Sequence, residues 1–191
     1  IETSSNSNWF PTSEDIEKKI KITKSKNLIL FLNSPNNPSG LVCKNLEEIA
    51  KVAKKYKLII LSDEIYSHLT FNEKYKSISN YYPEGTIVST GLSKWCGAGG
   101  WRLGFFAIPN SLRELKDSLK TLCSESFTSV SAPIQHAAIE AYNGDYSSYL
   151  DSVKKILSFT GSYVYDNLKS NLINVKKPEG GFYLFPEFTN A

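Results

Sequence analysis

The 191-residue chain has no methionine, only three cysteines and only two histidines. Cys43, Cys96 and Cys123 form no C-x-x-C pair, and His68 and His136 stand far apart, so no zinc-ligand spacing is present. A sparse, odd set of cysteines does not make a disulfide framework. It fits a reducing compartment, and the expectation is a cytoplasmic protein whose thiols pack as small hydrophobes. No apolar run approaches the roughly 20 residues that span a bilayer. The start, IETSSNSNW, lacks both the basic and the apolar region of a secretory leader. Neither feature points to a membrane partner. The net charge is +3 and the lysines are scattered among acids, so the basic face that a nucleic acid needs is missing. A chain that lacks methionine, begins at Ile1 and stops at FPEFTNA reads as a segment of a longer polypeptide.

What is present is ordinary for a globular protein: 41% hydrophobic and 21% charged residues. Thr12, with Asp15 three residues on, predicts a helix to Ile22 that buries Ile16 and Ile20. Asn45 and Glu48 form a capping-box pattern ahead of LEEIAKVAKKY, whose Leu46, Ile49, Ala50 and Ala53 share one face. Ser111 and Glu114 predict another capped helix, with Leu112, Leu115, Leu119 and Leu122 inside. Pro133 suits the first position of a further helix, and a long helix is expected from Asp145 to Leu168. Short apolar runs at 27–33, 57–64, 86–90 and 102–108 read as buried strands. NVKKPEGGFYLF reads as strand, turn, strand.

Strands alternating with helices predict an α/β domain, three layers deep, around a mostly parallel sheet covered on both faces. We expect that domain over residues 1–145. A linking helix and the start of a small α+β domain should follow over 146–191. Ligands of such sheets bind at the carboxyl ends of the strands. The segments to inspect are therefore Asn33–Gly40, Ser62–Tyr66 and Gly91–Gly104.

The first of these, NSPNNPSG, packs turn-forming residues directly after a strand. In the second, SDEIYSHL, Asp63 and Tyr66 are three apart and face one side if the chain turns helical. An acid in that position can hold a metal ion, pair with a ring-nitrogen cation, or merely cap a helix. The third, GLSKWCGAGGWRLG, sets Lys94 among small and apolar residues, with Arg102 eight residues on. A guanidinium suits a phosphate. A cation near a lysine disfavours the ammonium form and frees the amine as a nucleophile. A flexible loop with a surface lysine is the plainer reading.

NNPSG, DEIY, SK and GGWRLG, in this order and spacing, resemble the fold-type I pyridoxal-phosphate enzymes of the class I/II aminotransferase family. The ending PEGGFYLF resembles the segment that opens their small domain. The resemblance runs from about Asn33 to Phe185. It implies that Lys94 forms a Schiff base with pyridoxal 5'-phosphate and shuttles a proton. It implies that Asp63 pairs with the pyridine nitrogen, and that Tyr66 and Asn37 bond the ring oxygen across a cis Asn37–Pro38 peptide. Arg102 would hold the phosphate together with Ser93, while Asn33 and Asn36 would serve as turn formers. One departure is Gly91, where many members carry a phosphate-binding serine. The family's upstream phosphate loop and ring-stacking aromatic, and its downstream substrate-carboxylate arginine, have no counterpart in the chain.

The resemblance implies a homodimer that transfers an amino group between an amino acid and a 2-oxo acid. A C–S lyase or a cyclopropane-forming synthase (the ACC-synthase type) could use the same lysine. A non-catalytic, cofactor-sensing regulator could use the same scaffold. Nucleotide hydrolysis is excluded, because no G-x-x-x-x-G-K-[ST] loop exists.

Overall fold

Parallel pairing of short apolar strands organises the chain. The computed structural model describes residues 1–168, 170 and 172–188. In it β1 (Ile29–Asn33), β2 (Ile59–Asp63) and β3 (Thr86–Gly91) run parallel in that order, and β4 (Gly104–Ala107) pairs antiparallel with β3. Each overlaps a predicted apolar run. Positions 169 and 171, and the last three of the predicted small-domain segment, lie outside the described residues.

Parallel neighbours need a crossover, and α2 (Leu46–Lys55) supplies it between β1 and β2. The preceding α1 (Ser13–Ile22) starts as its sequence predicts. Thr12 Oγ1 accepts from the Asp15 N–H at 3.1 Å, and Asp15 Oδ2 accepts from the Thr12 N–H at 3.3 Å. The capping box expected for α2 is not made. Asn45 stands at the N-cap, but its amide donates to the Pro11 carbonyl (3.0 Å) and accepts from the Cys43 thiol (3.1 Å). It ties the approach to α1 to the start of α2.

The first core packs Ile16 of α1 and Ile49, Ala50 and Ala53 of α2 onto Leu30, Leu32 and Ile60 of the sheet. Ile49 and Ile60 are wholly buried, and each such side chain contributes about 1.5–3 kcal/mol. On β1, Leu30 and Leu32 point inward while Ile29 and Phe31 stand exposed. Cover on both faces is thus not met at this strand among the described residues. A second cluster joins Tyr66, Leu69, Leu92, Trp95 and Leu103 to α4 (Ala132–Asn143) and α5 (Ser147–Leu168). Asp145 caps α5 by accepting from the Ser147 N–H at 2.9 Å. Pro133 falls one residue inside α4, not at its first position.

Two predicted segments differ. Ser111 does not cap α3 (Arg113–Ser126); it lies in a short 3-10 turn and donates to the Glu84 carbonyl. Leu112, Leu115 and Leu119 are only half-buried, and Leu122 is 61% exposed. No described element fully covers that stripe. At the C-terminal end, β5 (Ile173–Asn174) pairs with β6 (Glu187–Phe188), but FYLF forms no strand. The backbone before it is committed elsewhere. Glu179 and Gly180 donate to Gly40 O (2.8 and 3.1 Å), Phe71 donates to Glu179 O (3.0 Å), and Gly181 donates to Leu69 O (3.1 Å). Among the described residues, no helix is long and apolar enough to cross a membrane.

Candidate active site

β1 and β2 end level with each other, because Asn33 is the register partner of Asp63. A cleft of about 720 Å³ runs along β1 to these ends, and Asn33, Asn37, Asp63, Ile65, Tyr66 and Lys94 are among its lining residues, as are Trp9 and Pro11. Its size suits a small organic ligand, whose pockets run from about 300 to 1,000 Å³. Four sequence-predicted site residues, Asn37, Asp63, Tyr66 and Lys94, therefore face one space. Ser93 and Arg102 are not among its lining residues.

The loop after β1 is held tightly. The Asn37–Pro38 bond is cis, as expected, and so is Ser34–Pro35. Asn36 is a turn former: its Oδ1 accepts from the Ser39 N–H (3.0 Å) and hydroxyl (2.8 Å). Gly40 has φ +70°, and a Cβ there would lie 2.3 Å from the Tyr183 carbonyl oxygen, so only glycine fits. Asn33, expected as a second turn former, does something else. Its Oδ1 accepts from the Asn37 N–H at 2.7 Å, and its Nδ2 donates to Asp63 Oδ2 at 3.2 Å and to Asp63 O at 3.1 Å.

The electrostatics follow from burial. Desolvation pushes the Asp63 carboxyl above its ordinary range, while the Ile65 N–H and the Lys94 charge pull it back. Such a carboxylate gains by pairing with a cation. Tyr66 is buried, and its hydroxyl lies 2.9 Å from that of Tyr183. Burial first, then Tyr183, push the Tyr66 phenol up; Asn37 opposes them. Lys94 Nζ sits 5.7 Å from the ring centroids of both Tyr66 and Phe182. Its amine is thus walled by aromatic faces.

Lys94 and Ser93 are half-buried in the turn that follows β3. Arg102 is exposed, stands at φ +54°, and donates from Nη1 to Gly99 O at 2.7 Å. A left-handed conformation costs a Cβ-bearing residue about 1–2 kcal/mol. Gly91 explains its own departure from the family pattern. A Cβ there would meet Leu103 O at 2.6 Å and Gly104 Cα at 2.9 Å, so the position is closed to a serine.

Other sequence readings are corrected or narrowed. Trp101, beside Arg102, is 51% exposed. Of the three cysteines only Cys43 is fully buried, and burial pushes its thiol up to about 12. His68 packs against Trp95 (centroids 5.1 Å apart, rings tilted by 41°) and lines a separate cleft with Tyr75 and Lys154. Sequence reasoning missed Tyr183 and the bridging role of Asn33. The glycine pair ahead of FY was the available signal for Tyr183; the sequence carried none for Asn33, whose role depends on its register partner in β2.

The comparisons with known proteins agree with this fold. The family model for aminotransferase class I and II matches residues 1–191. An aspartate aminotransferase of Bacillus sp. (strain YM-2) is 34% identical over the whole chain and 49% of its own length. Among solved structures, an alanine aminotransferase from Pyrococcus furiosus is 35% identical with a TM-score of 0.82, covering 97% of this chain and 48% of its own. The aspartate aminotransferase from Rhizobium meliloti gives a TM-score of 0.89 at 25% identity, with 97% and 47% covered. The chain spans about half the length of the curated relatives it matches.

Proposed function

Because the chain belongs to the class I and II aminotransferase family, we propose that the protein is a pyridoxal-phosphate-dependent transaminase acting on an amino acid and a 2-oxo acid. The observation that carries the reading is the convergence of Lys94, Asp63, Tyr66 and Asn37, from three separate strand ends, on one cleft. That set fits the cofactor chemically. An amine suits its aldehyde, a desolvated carboxylate suits a protonated ring nitrogen, and a phenol with an amide suits a ring oxygen. When bound, the cofactor supplies an electron-accepting ring that stabilises negative charge at the substrate α-carbon.

The chain's own residues then have distinct tasks. Lys94 Nζ would hold the cofactor covalently and afterwards carry the proton to and from the α-carbon. Asp63 would keep the ring nitrogen protonated, because burying its charge unpaired is costly. Tyr66 and Asn37 would orient the ring, with the Tyr183 hydroxyl holding the Tyr66 phenol from behind. Tyr66, Phe182 and Tyr183 would exclude water from Lys94. Arg102 and Ser93, outside the lining of the cleft, would take the phosphate. Residues 1–145 would carry the cofactor-binding side chains, and 146–191 would open a smaller domain that adds Phe182 and Tyr183 to the site. The complete protein would be a cytoplasmic homodimer.

The test is a transfer assay with 15N-labelled aspartate or alanine and a 2-oxo acid. The label should appear in the new amino acid and not as free ammonia. Release of ammonia and a 2-oxo acid without any acceptor would overturn transamination in favour of elimination.

A further inference from the structure

We propose that Asn33 is a positioning residue, which holds Asp63 and Asn37 in register through one side-chain amide. The inference rests on the roles proposed above for those two residues. Asn33 ends β1 opposite Asp63 at the end of β2. Its Nδ2 reaches the Asp63 carboxylate at 3.2 Å and the Asp63 carbonyl at 3.1 Å, across 30 positions of sequence. Its Oδ1 reaches the Asn37 N–H at 2.7 Å.

The chemistry fixes which way the amide points. Rotated by half a turn, it would set N–H against N–H at Asn37 and oxygen against oxygen at Asp63. Only a side chain with a donor and an acceptor on one planar group serves both partners. A residue that merely formed the turn would bond within its own loop, as Asn36 does with Ser39. Asn33 instead ties the loop after β1 to the acid after β2. The same amide thus sets the carboxylate's orientation and the backbone of Asn37. The other groups bearing on Asp63 are the Ile65 N–H and the charge of Lys94, with Glu64 and Tyr66 alongside.

The test separates the two arms of the amide in cofactor-free protein. Asn33→Asp keeps an acceptor for the Asn37 N–H, removes the donor to Asp63 and adds a like charge. Asn33→Ala removes both arms. The Asp63 carboxyl is followed by 13C NMR titration, assigned by its loss in Asp63→Asn, and the Asn37 amide by hydrogen exchange. In Asn33→Asp the Asp63 midpoint should rise by about one pH unit or more, as for paired carboxylates, with the Asn37 amide as protected as before. In Asn33→Ala the midpoint should rise less, and Asn37 should exchange about 10-fold faster or more, the loss of one hydrogen bond of about 1.4 kcal/mol. Should Asn33→Ala not fold, Asn33→Ser, too short to reach the carboxylate, takes its place with the same expectation. An unmoved Asp63 midpoint in both variants, or unchanged Asn37 exchange in the truncated one, would overturn the proposal. Failure of the transaminase reading shows separately, as absence of a cofactor adduct on Lys94 while both cofactor-free readouts hold.

Discussion

The loop from Asn33 to Gly40 and the turn from Gly91 to Gly104 both follow parallel strands, and both carry site candidates. They are held in opposite ways. The first is cross-linked to distant segments: Asn33 to Asp63, Gly40 O to the backbone of Glu179 and Gly180, and the Val42 N–H to Glu179 Oε2 at 2.7 Å. In the second, hydrogen bonds run within the turn, such as Ala98 N–H to Leu92 O (3.3 Å) and Arg102 Nη1 to Gly99 O (2.7 Å), while Leu92, Trp95 and Leu103 are tied to α4 and α5 by apolar packing. Residues proposed to meet the cofactor ring thus stand on the part of the fold that other elements lock. Arg102, whose proposed partner is a phosphate that bonds from several directions, stands at the exposed end of a turn and bonds back to Gly99 O of that same turn. Lys94 joins the two regions. It belongs to the turn by sequence but lies against the rings of Tyr66 and Phe182.

Removing that junction should have the largest effect. Lys94→Ala should lower kcat for amino transfer by about 100- to 10,000-fold, the usual range for losing a general acid–base group. Arg102→Ala should weaken cofactor binding while leaving the melting temperature of the cofactor-free protein nearly unchanged. Paired glycine variants probe the rigidity directly. Gly40→Ala forces a Cβ to 2.3 Å from Tyr183 O at φ +70°. Urea unfolding should show a loss of about 2–4 kcal/mol, overpacking added to left-handed strain. Gly100→Ala meets nothing within 4 Å and should stay within about 0.5 kcal/mol of the parent. Gly91→Ser tests the base of the turn. Its Cβ would crowd Leu103 O and Gly104 Cα, and a loss of about 1–3 kcal/mol is expected; a neutral result would show that the β3–β4 ladder yields.

The smallest effect concerns Glu64, buried beside Asp63 and bonded by the Ser62 hydroxyl (2.9 Å) and the Ser77 hydroxyl (2.5 Å). Desolvation holds its carboxyl above the ordinary 4.5, against the pull of Ser77, Ser62 and Tyr75. The folded state therefore binds this proton more tightly than the unfolded chain does. The stability it contributes is present below the ordinary value and is lost as pH rises through the folded one. Glu64→Gln should match the parent near about pH 4 and become relatively more stable toward neutrality. A gap that shrinks on going to neutral pH would contradict the sign.

These contrasts explain what the sequence made legible. The Thr12–Asp15 box could be read because both partners lie within one turn of each other. Asp63, Tyr66 and Lys94 could be read because α/β sheets put chemistry after the strand ends. Asn33 could not, since its task depends on which residue of β2 stands opposite it, and register is not printed in composition. The leucine stripe of α3 misled because an apolar pattern states what a face prefers, not what covers it. Gly91 read as a missing hydroxyl. Its contacts show instead a position where Gly104 leaves no room for any side chain.

The central claim is that Lys94 is the residue to which the cofactor attaches. Borohydride reduction of the protein with pyridoxal 5'-phosphate, followed by digestion and peptide mass spectrometry, tests it directly. The account predicts one reduced adduct, on Lys94, that is absent from Lys94→Ala. An adduct on a different lysine, or none, would contradict it.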